Sequence, residues 1–172
     1  MGTQIAVNTA VSALETALVM ENHQKMVYAI AVTHTRNRVD AEDVFQEVFL
    51  TYHRKQPVCE NEEHRKAWLI RTTLNIARRY TSSSWSTRVV PVETVECGQT
   101  YRFDNDEYDE LFQALSALPE NYRTVIYLFY FEDLSIAQIS DVLEIEPGAI
   151  KMRLSRGRTM LREAMVKEDA HV

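Results

Sequence analysis

The segment from Leu134 to Arg158 constrains the fold more than any other part of the chain. It reads as two short amphipathic helices joined by a tight, three-residue turn. Ser135 and Gln138 have the spacing of a capping box, in which the hydroxyl and the amide satisfy each other's backbone N–H groups, and this starts the first helix. The second starts near Pro147, a residue tolerated in a first helical turn because the missing N–H has no partner there anyway. Ile150, Leu154 and Leu161 face inward at helical spacing, with Gly157 near the same side. Lys151, Met152, Ser155 and Arg156 lie on a different face and can all reach the floor of a DNA major groove. Arg153 and Arg158 are better placed for phosphates, which set position but carry no sequence information. A plain basic surface helix would carry the same cations, but it would need no capped helix and tight turn before it.

A second cationic helix is expected from Glu62 to Tyr80. Trp68, Arg71, Thr72, Asn75, Arg78 and Arg79 share one stripe, while Ala67, Ile70, Leu74 and Ala77 form another suited to a core. Cations bind phosphates, and rings and guanidinium planes stack on exposed bases, so this stripe suits a single strand. Tyr80 and Trp85 would extend it. For an isolated helix the plainer alternative, a solvated face with a half-buried tryptophan, stays open.

The charge distribution says more than the net charge of −6, which argues against a nonspecific nucleic-acid coat. Arg65, Lys66, Arg71, Arg78, Arg79 and Arg88 form one acid-free island, and Lys151, Arg153, Arg156, Arg158 and Arg162 another. Between them Glu93, Glu96, Asp104, Asp106, Glu107, Asp109, Glu110 and Glu120 face Arg102 alone. With 172 residues, 45% apolar content and only 4 Gly and 4 Pro, the chain predicts an all-α fold of two small helical domains joined by a flexible acidic linker. Residues 1–84 form the first domain, 85–105 the linker and 106–172 the second. The first domain begins with a helix from about Val11 to His34. After a turn at 36–39, Asp40 is the expected N-cap of a helix whose first turn Asp43 charges favourably. Val44, Phe45, Val48, Phe49 and Tyr52 recur along it. The hydroxyl run 81–84 is expected to end the third helix. In the second domain Leu111, Leu115 and Leu118 mark one helix, and Pro119 suits the first position of the next. No apolar run is long enough to span a membrane, and no secretory signal is evident. Cys59 and Cys97 are expected to be free thiols in a reducing cytoplasm.

Three motifs, in order, resemble the extracytoplasmic-function (ECF) class of bacterial sigma factors. Asp40-Ala-Glu-Asp-Val-Phe-Gln-Glu-Val-Phe49 is similar to the pattern D-x-x-Q-E-x-F of that family's second conserved region. Lys66 to Ala77 is similar to its W-L-x-R pattern with a following Asn. Leu115-Ser-Ala-Leu-Pro-Glu-Asn-Tyr-Arg123 resembles the opening of the fourth conserved region, and the helix-turn-helix follows. The resemblance covers about Leu14 to Met165. It implies a three- or four-helix bundle for the first domain and a protein that binds core RNA polymerase, at the largest-subunit coiled coil and the flap. Asp43, Gln46, Glu47 and Phe49 would then dock on the coiled coil. Trp68, Arg71, Thr72, Asn75, Arg78 and Arg79 would melt and capture the minus-ten element, with 56–64 as pocket rim and Glu60, Glu62 and Glu63 contributing selectivity. Lys151, Met152, Arg153, Ser155, Arg156 and Arg158 would bind the minus-thirty-five duplex. An anti-sigma factor is an implied partner, able to hold the cytoplasmic chain at the membrane without insertion. The chain departs from the family in places. Glu144 stands where many members have glycine, so the turn is expected to be strained or reshaped. Pro147 replaces a common acid, and Arg79 stands where many have aspartate. Thr81 to Trp85 replaces a usual arginine run.

Two rival classes are weaker. A ligand-sensing helix-turn-helix regulator with a helical effector domain would require neither the Asp43–Phe49 motif nor a second basic helix. An enzyme needs a constellation, and none is apparent. His53, Cys59 and His64 match no usual zinc spacing and lack a fourth ligand. His23, His34 and His171 have no evident carboxylate or nucleophile. No cofactor, metal or catalytic residue is expected.

Overall fold

The structure, a computed structural model, describes residues 2–84 and 114–169. The chain divides into two compact units, Met1–Val90 and Pro91–Val172. Among the described residues all regular structure is helical.

The first unit contains α1 (Gly2–Thr35), α2 (Arg38–Lys55) and α3 (Glu62–Ser84), each packed on the other two. Helix α1 starts well before Val11, because nothing from Thr3 to Ala10 breaks a helix. Asn37, not Asp40, caps α2: its backbone is extended (φ −145, ψ 127), and its side chain accepts the Val39 N–H at 2.9 Å. Asp40 sits one turn in and accepts from the Asn37 amide at 3.1 Å. Asn is as good a cap as Asp, and the chain reaches it first. Asp40 therefore supplies the first-turn charge expected of Asp43.

Val27, Ile30 and Ala31 of α1, Ala41, Val44, Val48 and Tyr52 of α2, and Ile70, Leu74 and Ala77 of α3 form the core. Each aliphatic side chain so buried stabilises by about 1.5–3 kcal/mol. Leu69, Thr73 and Ile76 are buried too, so the inward face of α3 is wider than the predicted stripe. Helix α3 also runs a turn past Tyr80. Thr81 donates to the Arg78 carbonyl and Ser82 to the Arg79 carbonyl, both at 3.1 Å. The hydroxyls bond back onto the last turn instead of competing with it, so the helix continues to Ser84.

The second unit contains a helical turn at 114–117, then α4 (Glu120–Tyr130), α5 (Ile136–Leu143) and α6 (Pro147–Asp169). Pro119 is the N-cap of α4, not its first helical residue as expected. Its ψ of 144 is extended, so the helix begins at the next residue. The capping box of α5 is complete: Gln138 N–H donates to Ser135 Oγ at 3.2 Å, and Ser135 N–H to Gln138 Oε1 at 2.8 Å.

Glu144 ends α5 in the left-handed region (φ 56, ψ 44), a conformation costing about 1–2 kcal/mol for a residue with a Cβ. Ser140 holds the turn. Its carbonyl accepts from Ile145 N–H at 3.2 Å, and its hydroxyl donates to the Ile145 carbonyl at 2.6 Å. Ile139, Val142, Ile150 and Leu154 then bury against Val125, Ile126 and Leu128. Gly157 allows α6 to approach α4, since a Cβ there would sit 3.0 Å from Ile126 Cγ1. Leu161 is only half-buried. Arg123 is buried and donates to the carbonyls of Ser116 and Leu118 at 2.9 and 3.1 Å, tying the 114–117 turn to α4. The expected linker, Cys97, Leu111 and Trp85 lie outside the described residues.

Candidate functional site

Each unit turns one cationic helical face outward. On α3, Arg71, Asn75, Arg78 and Arg79 are exposed, and Trp68 and Thr72 are half-buried beside them. The Trp68 ring meets the edge of Tyr52 at 5.6 Å, which fixes the indole between the core and the surface. Arg79 is not simply solvated: Nη2 donates to Glu47 Oε1 at 2.5 Å, and the Tyr80 hydroxyl donates to the other Glu47 oxygen at 3.5 Å. Burial, then the neighbouring Glu47 and Asp43 carboxylates, raise the Tyr80 pKa.

On α2, Asp43 and Gln46 are exposed and Glu47 is half-buried. Phe49 turns inward and packs edge-on against Phe45 at 5.0 Å, so it holds α2 in the bundle and offers no outer surface. The exposed apolar residues of this helix are Val39 and Leu50, 59% and 50% accessible. They flank Asp43 and Gln46 at i, i+4, i+7 and i+11, one stripe of a helix. That spacing is visible in the sequence, but the motif match drew attention to the phenylalanine instead.

The segment before α3 is shorter than the expected rim. Residues 56–61 are irregular, whereas Glu62, Glu63 and His64 belong to the helix. Asn61 starts α3 by accepting the His64 N–H at 2.8 Å. Glu62 is exposed, yet both its oxygens are engaged within the protein: one meets His23 Nε2, and the other accepts from Arg65 at 2.5 Å. Arg65 Nε donates to the Tyr52 hydroxyl at 3.2 Å, which donates to Glu15 at 3.5 Å. Five side chains from all three helices thus brace the base of the 56–61 segment. Burial works to raise the Glu62 carboxyl, but bonds from His23 and Arg65 outweigh it and hold it below the ordinary range. Burial pushes the Cys59 thiol up, and the cysteine is unpaired. No periodicity announces such a network, because its members pair across helices. His53 and His64 are engaged elsewhere, with Thr16 at 3.1 Å and the Glu60 N–H at 3.4 Å. Among the described residues no cluster has metal-ligand geometry, and no helix is long and apolar enough to cross a membrane.

On α6, Lys151, Met152, Ser155, Arg156 and Arg158 are exposed and Arg153 is half-buried. Gly148 and Pro147 leave the helix start uncrowded, with open space around Gly148. The predicted groove face and the core face are separate, as Ile150 and Leu154 are buried.

Comparison with known proteins agrees with this arrangement unit by unit. Residues 19–87 match the family model for sigma-70 region 2, and 108–161 match that for sigma-70 region 4. The chain is 28% identical over 148 residues to the RNA polymerase sigma factor SigV of Bacillus subtilis strain 168, covering 86% of this chain and 89% of that one. It is 28% identical over 160 residues to the ECF RNA polymerase sigma factor SigE of Mycolicibacterium smegmatis, covering 88% of this chain and 62% of that protein. In solved structures the fold resembles the sigma factor RpoE, crystallised with the anti-sigma factor NepR from Bartonella quintana (TM-score 0.67, 23% identity, 89% of this chain and 95% of that one). It also resembles CnrH in complex with the cytosolic domain of CnrY (TM-score 0.65, 20% identity, 95% and 97%). The chain belongs to the sigma-70 family of RNA polymerase sigma factors, as a member of the ECF type.

Proposed function

We propose that the chain binds core RNA polymerase and directs it to promoters through two separate contacts. The observation that carries this reading is the pair of outward cationic faces, one on α3 and one on α6, each backed by its own core. The stripe of Val39, Asp43, Gln46 and Leu50 on α2 suits a helix-on-helix contact with the coiled coil of the largest subunit, since apolar residues supply area and the acid supplies steering. Region 4 would meet the flap. The α3 face melts the minus-ten element: Arg71 and Arg78 hold phosphates, while Trp68, Thr72 and Asn75 receive an unstacked base. The 56–61 segment, fixed by the Glu62 network, forms the pocket rim. The α6 helix enters the major groove of the minus-thirty-five duplex, with Lys151, Met152, Ser155 and Arg156 at base edges and Arg153 and Arg158 on phosphates.

In this reading the chain works by binding and positioning, not by catalysis, and acts in the cytoplasm. An anti-sigma factor is its expected inhibitor, and a membrane-bound inhibitor would hold the complex at the membrane. RpoE was crystallised with the anti-sigma factor NepR, and CnrH has been solved in complex with the cytosolic domain of CnrY. Run-off transcription with purified core polymerase on a library of genomic fragments tests the proposal. Discrete transcripts that require the added chain are expected. A chain that neither associates with core enzyme nor yields such transcripts would overturn it.

A further inference from the structure

The Glu47–Arg79 pair joins two faces that the proposed function keeps apart. Glu47 projects from α2 next to Asp43 and Gln46, the stripe assigned to polymerase. Arg79 projects from α3 next to Arg78 and Asn75, the stripe assigned to the opened strand. Their side chains are 36% and 64% accessible, so the bond between them lies at the surface, where another partner can compete for it. Glu47 also accepts from the Tyr80 hydroxyl, which keeps the carboxylate turned toward α3.

The electrostatic consequence is direct. A carboxylate within hydrogen-bonding distance of Arg79 offsets part of its attraction for a phosphate, because it repels the same phosphate. We infer that Glu47 is a latch that neutralises Arg79 in the free protein, and that docking of α2 on polymerase draws Glu47 away and frees Arg79 for the nontemplate strand. This rests on the assignment of the α2 and α3 faces given above. The latch is weak by construction, because exposed ion pairs are worth little and are screened by salt. It therefore tunes strand affinity over a small range and opens at modest cost.

The test uses the full chain and a fluorescently labelled single-stranded oligothymidine, titrated at low salt with and without core polymerase. Glu47→Gln keeps the side-chain shape and removes the charge. It should raise the affinity of the free chain about two- to fivefold, the range an exposed pair permits. Arg79→Ala together with Glu47→Gln should lose most of that gain, and with core enzyme bound the difference between Glu47→Gln and the native chain should shrink. Equal affinity of the native chain and Glu47→Gln, or a gain that survives Arg79→Ala, would overturn the latch. Arg78→Ala separates the strand face from the latch. If it weakens binding while Glu47→Gln changes nothing, the strand face stands and the latch falls. If neither variant alters binding, the strand face itself is wrong and the latch falls with it.

Discussion

The cationic faces of α3 and α6 use the same residue types in different surroundings. On α3, Arg79 is bound to Glu47 and Arg65 to Glu62, so acids of the same unit border the positive charge. On α6, Lys151, Arg153, Arg156 and Arg158 enter no ion pair among the described residues. The contrast suits the two jobs proposed. Duplex DNA offers dense, regular phosphate charge, and unpaired cations on a rigid helix gain from it directly. Capture of a single strand depends more on a ring, an amide and a shaped rim, and excess charge would favour any strand over the right one. The α3 face is accordingly built on packing: Trp68 on Tyr52, and Tyr52 in the network that holds the 56–61 segment.

The largest effect should come from the scaffold of the α6 face. Ile150→Ala empties a fully buried site and should destabilise the second unit by about 2–5 kcal/mol, read from denaturant unfolding of the full chain. A loss below about 1 kcal/mol would mean that the α6 face does not depend on this core. Next come the cations themselves. Lys151→Ala and Arg156→Ala should each weaken minus-thirty-five binding by about 1–3 kcal/mol if they touch bases. Weakening that is equal on all sequences would assign them to phosphates. Arg79→Ala should cost strand binding less than about 1 kcal/mol, because Glu47 already offsets its charge. A loss as large as that of Lys151→Ala would erase the distinction between the faces.

Much of this was legible in the sequence, and the misses have physical causes. The capping box of Ser135 and Gln138, the inward Ile150 and Leu154 and the outward stripe of α3 all rest on local periodicity, which survives folding unchanged. The left-handed Glu144 was legible too, as an acid in a turn that favours glycine. Glu144→Gly should relieve that strain and stabilise the second unit by up to about 1 kcal/mol, measurable as a higher thermal midpoint; a lower midpoint would show that the Ser140 bonds already absorb it. What periodicity misses is pairing between helices. It gave no warning that Glu62 serves His23 and Arg65, nor that Arg79 meets Glu47. The motif match also set Phe49 on the surface, where the bundle takes it inward and leaves Leu50 outside. Cap choice failed at α2 because Asn37 and Asp40 are near-equal candidates one turn apart.

The smallest expected effect concerns pH. The Glu62 carboxyl is held below its ordinary value, so its contribution is fully present above the unfolded carboxylate pKa of about 4.3 and is lost as pH falls through the folded value. Its side chain is 57% exposed, so the contribution is modest. Glu62→Gln should therefore destabilise slightly at neutral pH and converge with the native chain in acid. Parallel curves across that window would remove the carboxylate from the brace.

Strand opening at a promoter separates the proposed roles of α3 and α6 most directly. Permanganate reactivity of minus-ten thymines, measured with core polymerase and the full chain, should show open DNA. Trp68→Ala combined with Asn75→Ala should leave that DNA closed while upstream protection over the minus-thirty-five duplex persists. Unchanged opening in the double variant, or loss of both signals together, would contradict the division of labour between α3 and α6.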